Sequence, residues 1–139
     1  MANIGYDWDT NWTAFTQSPL TLTEGGTDSN NGETGEIDLD GKSACLISID
    51  ADYSNHSLAT SGLKITVRRD VDDIVWESVD AASISFELPF VQNGTVRKTI
   101  ALQANQFQKF VVQLDWGNFS PGSSVTVALA IKYGVASSS

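Results

Sequence analysis

Cysteine, histidine and basic side chains are scarce in this chain of 139 residues. Its single cysteine excludes a disulfide framework and a cysteine-rich zinc site, and one histidine is too few for a histidine-based metal cluster. Only 8 lysines and arginines stand against 17 acids, which gives a net charge of −9. Since phosphate binding requires clustered basic residues, the composition predicts no nucleic-acid partner.

Long apolar runs are missing as well. No positively charged start is followed by an apolar stretch, so we expect neither a signal peptide nor a membrane span. Charged residues make up 18% of the chain and hydrophobic residues 41%, a balance with too little charge for intrinsic disorder. This composition predicts one folded, soluble domain with a substantial core.

The acids are concentrated in the first half of the chain. Residues 1–60 hold ten acids and one base, Lys42, whereas residues 61–139 hold seven of each sign. Two interpretations stay open: a solvated face that aids solubility, or a surface that matches a basic partner or calcium. Because no EF-hand pattern is present and Asp is a common turn residue, we predict no metal and no other cofactor. The acidic turns considered for calcium contain Asp38 and Asp40, and Asp70, Asp72 and Asp73.

Apolar residues alternate with polar ones through most of the chain, which is typical of strands that are buried on one face. Turn residues separate these segments. The pattern predicts an all-β fold, an antiparallel sandwich of jelly-roll type with eight or nine strands. The main segments are residues 45–53, 63–67, 84–88, 110–116 and 125–133, and the shorter candidates are residues 20–23, 36–39, 74–77 and 99–103.

A hairpin is expected between the segments near residues 86 and 100. A three-residue loop at 92–94, with Gly94 left-handed, sets Phe86 opposite Ile100 so that both face the core. Pro89 is expected to end the first of these strands.

The first 18 residues are aromatic and acidic, and we treat them as an N-terminal arm on a sandwich of residues 19–139. Their aromatic residues are the candidate partner-binding residues, since Trp and Tyr dominate interface hot spots. Alternatively they cover one end of the core, or they stack on sugars, which requires exposed coplanar rings. Trp8 and Trp12 are four residues apart, and we expect them to share a face only in a helix. The four candidates are Tyr6, Trp8, Trp12 and Phe15.

Catalytic residues are not predicted. His56 lies in a turn and Cys45 on the apolar face of a strand, and neither has the partners that a nucleophile or a base requires. A glycan-cleaving enzyme on a jelly roll would need two converging carboxylates, and the sequence singles out no such pair. We therefore expect a protein that is not an enzyme.

Four segments resemble small β-sandwich virion proteins of tailed bacteriophages: LKITVRRD at residues 63–70, IVWE at 74–77, SISFEL at 83–88 and SVTVALAIKY at 124–133. The resemblance covers about residues 36–134. It implies a capsid decoration (cement) protein that bridges major capsid subunits, as a trimer or dimer, on the capsid surface and in the host cytoplasm during assembly. The alternative is a carbohydrate-binding or host-recognition module, for example in a tail.

Overall fold

The computed structural model describes residues 4–15, 20–23, 31–33, 36–53, 62–69, 82, 84–91, 94–115 and 124–138. Within these ranges the chain forms strands and no helix, so it has no helix that could cross a membrane. The strands are β1 (Ile4–Trp8), β2 (Thr13–Ala14), β3 (Leu20–Thr23), β4 (Asn31–Glu33), β5 (Ile37–Asp38), β6 (Ala44–Asp52), β7 (Leu63–Arg69), β8 (Ile84–Leu88), β9 (Thr95–Gln103), β10 (Lys109–Asp115) and β11 (Ser124–Ser138).

The strands form two antiparallel sheets that pack face to face. Sheet A has the order β1-β11-β6-β9, with β2 and β3 also paired to β11. Sheet B has the order β4-β10-β7-β8, with β5 also paired to β10. The eight strands β3, β4 and β6–β11 form the jelly roll. Sheet A contains them in the order β3-β11-β6-β9 and sheet B in the order β4-β10-β7-β8. Counted one to eight along the chain, these orders are 1-8-3-6 and 2-7-4-5, which is the jelly-roll arrangement. The predicted fold class, an all-β sandwich, is confirmed.

The core lies between the sheets and follows the period of two that the sequence shows. Alternate residues of β6, β7, β10 and β11 point inward and are at most 3% exposed. Full burial of each such aliphatic side chain contributes about 1.5–3 kcal/mol. The inward residues of these strands are Cys45, Ile47, Ile49, Ala51, Leu63, Ile65, Val67, Phe110, Val112, Leu114, Val125, Val127, Leu129 and Ile131.

The predicted hairpin between β8 and β9 is wrong. β8 pairs with β7 in sheet B and β9 pairs with β6 in sheet A, so the two strands face each other across the core. Lys98 of β9 accordingly places its Nζ 5.1 Å from the ring of Phe86 in β8. Period-two alternation is satisfied equally by neighbours in one sheet and by strands of opposite sheets, so it could not separate the two arrangements. Gly94 does not have a positive φ, but β8 does end before Pro89 as expected.

Both ends of the described chain belong to sheet A. β1 and β2, from the segment treated as an arm, pair with successive parts of β11, and Ile4 is the register partner of Ser138. Four sequence predictions concern residues outside the described ranges. They are the strand at residues 74–77, the end of the segment 110–116 at Trp116, the turn at His56, and the acidic turn at residues 70–73.

Candidate functional site: an aromatic patch on the outer face of sheet A

Three of the four candidate residues lie together on the outer face of sheet A. Odd-numbered residues of β11 from 125 to 131 are buried, so its even-numbered residues point away from the core. Trp8 is opposite Gly134 and Tyr6 is opposite Ala136, which places both rings on that outer face. We call Tyr6, Trp8 and Trp12 the aromatic patch; their side chains are 39%, 37% and 41% exposed.

Trp12 reaches the same face because the chain inserts an even number of residues between β1 and β2. Trp8 pairs with Gly134, whereas Thr13 pairs with Ile131. The four residues 9–12 of the β1–β2 segment therefore lie opposite only two residues of β11, 132 and 133. This two-residue bulge keeps the alternation in phase. The expectation that Trp8 and Trp12 share a face only in a helix is therefore wrong, because residues i, i+2 and i+4 also share a face of a strand.

The rings are held by short contacts with β11. Trp8 lies flat over Gly134: a Cβ atom built on that glycine would be 2.8 Å from the indole ring, and Gly134 is buried beneath it. Tyr6 and Trp8 have ring centroids 5.4 Å apart and an interplanar angle of 52°. The ammonium group of Lys132 is 5.3 Å from the ring centroid of Trp12, a cation–π distance. The patch is thus fixed in position although its outer surface is open.

Phe15 does not belong to the patch. Its N–H group donates to the carbonyl of Leu129 at 3.1 Å, and its side chain is partly buried against the core. Phe15 therefore covers one side of the core, which was the alternative considered for the whole aromatic segment.

Asp9 and Lys42 both contact Tyr133, the residue of β11 beside the bulge. Asp9 sits at the start of the bulge, where its N–H donates to the carbonyl of Tyr133 and its Oδ2 accepts from the N–H of Tyr133, both at 2.9 Å. Burial raises the pKa of the Tyr133 hydroxyl, and the nearby Cys45 and Asp9 raise it further. Lys42 stands 5.6 Å from the Tyr133 ring centroid.

An open depression of about 190 Å³ lies farther along the same face. Across it Arg97 Nη2 contacts Asp50 Oδ2 at 2.8 Å, and Asp50 Oδ1 is buried with no hydrogen-bond partner in the described part of the chain. Arg97 is not among the predicted site residues because the predicted strand begins at residue 99, whereas β9 begins at Thr95. Alternation extended four residues back would have placed Arg97 on the polar face of this strand. The lining also includes Ala14, Ser48, Ala128 and Ala130.

The remaining candidates form no reactive or metal-binding arrangement among the described residues, where no group of three potential metal ligands comes together. Asp38 Oδ1 accepts the N–H of Asp40 at 2.9 Å, a turn-forming contact just before Gly41, whose φ is 77°. Burial raises the pKa of the Cys45 thiol to about 12, so the thiol stays protonated and unreactive at neutral pH.

No family model matches this chain, and no curated protein matches it either.

Proposed function

We propose that this protein is a non-enzymatic structural protein of a tailed-phage virion, a capsid decoration protein that binds a neighbouring subunit through the aromatic patch. The observation that carries the binding role is the clustering of exposed apolar side chains. Five large hydrophobic residues of the described chain are exposed, and three of them, Tyr6, Trp8 and Trp12, lie together on the outer face of sheet A.

Such a cluster is suited to contact with a protein. Exposed rings that are already held against a sheet lose little side-chain entropy on binding, and Trp and Tyr carry much of the binding energy of interfaces. A jelly roll with a continuous buried apolar core supplies the rigid support that a bridging protein requires. The virion setting and the capsid partner rest on the sequence resemblance.

The proposal is tested by sedimentation of the purified protein with bare capsids. We expect Trp12→Ser to weaken binding at least tenfold, since a buried hot-spot aromatic is worth about 2 kcal/mol or more. Val91→Ser is the matched control, because Val91 is 47% exposed and lies outside the patch. If both Trp12→Ser and Val91→Ser lose binding, or if neither does, the aromatic patch is not the capsid-binding surface.

A second candidate, carbohydrate binding, is favoured by the depression beside the patch with its Asp50–Arg97 pair. Sugars stack on exposed rings while planar polar groups hydrogen-bond their hydroxyls. The 52° angle between the rings of Tyr6 and Trp8 is unlike a coplanar stacking platform, so protein binding is the better-supported function. Sugar-dependent quenching of tryptophan fluorescence that Trp12→Ser abolishes, without capsid binding, would reverse this order.

A further inference from the structure

β1 has a free edge. β11 pairs with β6 as far as Gly134, and beyond that residue it pairs only with β1 among the described strands. The two strands therefore continue as a ribbon past the end of the sheet, and Val135 on its inner side is 44% exposed. In the described part of the chain β1 has no strand on its other side.

The main-chain groups at this edge can be assigned from the ladder. Asp9 N–H donates to the Tyr133 carbonyl, which fixes the alternation of an antiparallel pair. Asp7 and Gly5 then bond to β11, and Tyr6 and Trp8 direct their N–H and C=O groups outward. The hydrogen bonds on the other side of β11 fit this assignment. The N–H of Ala136 and the carbonyl of Gly134 point away from β1, and both bond to Ser43.

The two edge strands of sheet A, β1 and β9, differ in how well their side chains prevent another strand from pairing with them. β9 carries Arg97 and, at an inward-facing register position opposite Ile49, Lys98. Inward charges and lysines at an edge discourage the addition of another strand. β1 contains no lysine, arginine or proline, and its one charged residue is Asp7, at an inward-facing register position opposite Val135. β1 thus carries one charged residue where β9 carries two, and it is the less protected edge.

We propose that β1 pairs antiparallel with β1 of a second copy, about a two-fold axis at Tyr6. Three registers align at least two of the outward residues 4, 6 and 8, with the axis at Gly5, Tyr6 or Asp7. The register at Asp7 sets two carboxylates directly opposite each other, which is destabilising. The register at Gly5 aligns fewer of the outward groups of β1. The register at Tyr6 aligns residues 4, 6 and 8 with 8, 6 and 4 of the second copy and places Asp7 opposite glycine.

This pairing joins two copies of sheet A into one continuous sheet. The axis is perpendicular to the sheet, because residues opposite each other in a strand pair lie on the same face. Both aromatic patches then face the same direction, so one dimer could occupy two neighbouring sites and gain affinity by avidity. The dimer itself is measured on the purified protein alone, so its failure and the failure of capsid binding are distinguishable.

Analytical ultracentrifugation over a wide concentration range tests the pairing. Tyr6→Pro removes the outward N–H and leaves the bonds between β1 and β11 in place, since proline is tolerated on an edge strand. We expect it to weaken the dimer about tenfold or more. Tyr6→Val is the matched control, because it removes the ring but keeps the N–H group, and its dimer should survive.

Gly5 provides a second test, because a positive and a negative charge placed at this one position should have opposite effects on the dimer. A Cβ atom at Gly5 would meet nothing within 4 Å, so substitution there is sterically free. Gly5→Lys should tighten the dimer and Gly5→Glu should loosen it, each about fivefold, because both face Asp7 of the second copy. Protection of the Val135 amide from hydrogen exchange checks that β1 still pairs with β11. A monomer at all concentrations, or a dimer insensitive to Tyr6→Pro and to the sign of the charge at residue 5, would overturn the proposal.

Discussion

One hydroxyl group connects the two sheets. Tyr53 follows β6 of sheet A and is fully buried. Its hydroxyl donates to the carbonyl of Leu88 and accepts the N–H of Leu63, each at 2.8 Å. These two groups belong to adjacent strands of sheet B, so a single side chain fixes the position of β7 and β8 relative to β6. The edge of the Phe90 ring packs on Tyr53 at 5.3 Å between centroids.

Tyr53→Phe should therefore be costly for so small a change. It leaves a buried N–H and a buried C=O unpaired, and we expect a loss of about 2–4 kcal/mol in the free energy of unfolding. Tyr133→Phe is the matched control, because the Tyr133 hydroxyl has no hydrogen bond within the described ranges, and it should change stability by less than about 0.5 kcal/mol. Urea unfolding measures both. Equal effects would show that the hydroxyl of Tyr53 contributes no special connection.

At the level of the strands, the bulge between β1 and β2 decides which side chains reach the outer face. An odd number of extra residues would turn Trp12 toward the core and Thr13 outward. The carboxylate of Asp9 replaces a main-chain acceptor for Tyr133 N–H where the ladder is interrupted. The bulge is thus stabilised by a side chain as well as by the ladder.

Asp9→Ala should expose the Tyr133 amide to hydrogen exchange and lower stability by about 1 kcal/mol. Asp9→Asn keeps an acceptor oxygen and should retain most of the protection. Amide exchange followed by NMR resolves the single N–H concerned. Protection that is unchanged in the alanine variant would mean that the ladder holds this site without the carboxylate.

For the whole molecule, the buried thiol and the buried tyrosine hydroxyls make the free energy of unfolding depend on pH in the alkaline range. Burial raises the pKa of Cys45 from 9.0 to about 12, and it also raises the pKa values of Tyr53 and Tyr133. The folded chain keeps these protons at pH values where the unfolded chain releases them. The contribution of Cys45 to stability is complete below about pH 9 and is lost as the pH rises toward 12.

Between the unfolded and folded pKa values of Cys45, the free energy of unfolding should then fall by about 1.4 kcal/mol per pH unit because of this thiol. Urea titrations at several pH values between 8 and 11 measure this slope. Cys45→Ala should have lower stability at neutral pH because of its cavity, but its slope in the alkaline range should be shallower. An identical slope in both proteins would show that the thiol does not titrate as its burial requires.

Much of this architecture could be predicted from sequence. Alternation of apolar and polar residues correctly predicted the core residues Ile47, Ile65, Val112 and Leu129. It could do so because burial of one face of a strand depends only on the local sequence. The partner strand of β8 could not be predicted, because its pattern is the same whether its neighbour lies beside it or across the core. The patch was predicted in part: Tyr6, Trp8 and Trp12 cluster, whereas Phe15 turns inward because its odd position in the ladder faces the core.

The antiparallel pairing of β1 with β11 also determines how the molecule responds to force. Ile4 and Ser138 are register partners, so a pull applied through the two ends opens the ribbon like a zipper. The hydrogen bonds then break one pair after another at low force, rather than together as in a shear geometry. The ribbon would detach first, from residue 4 toward Trp8, while the buried core between the sheets still bears no load.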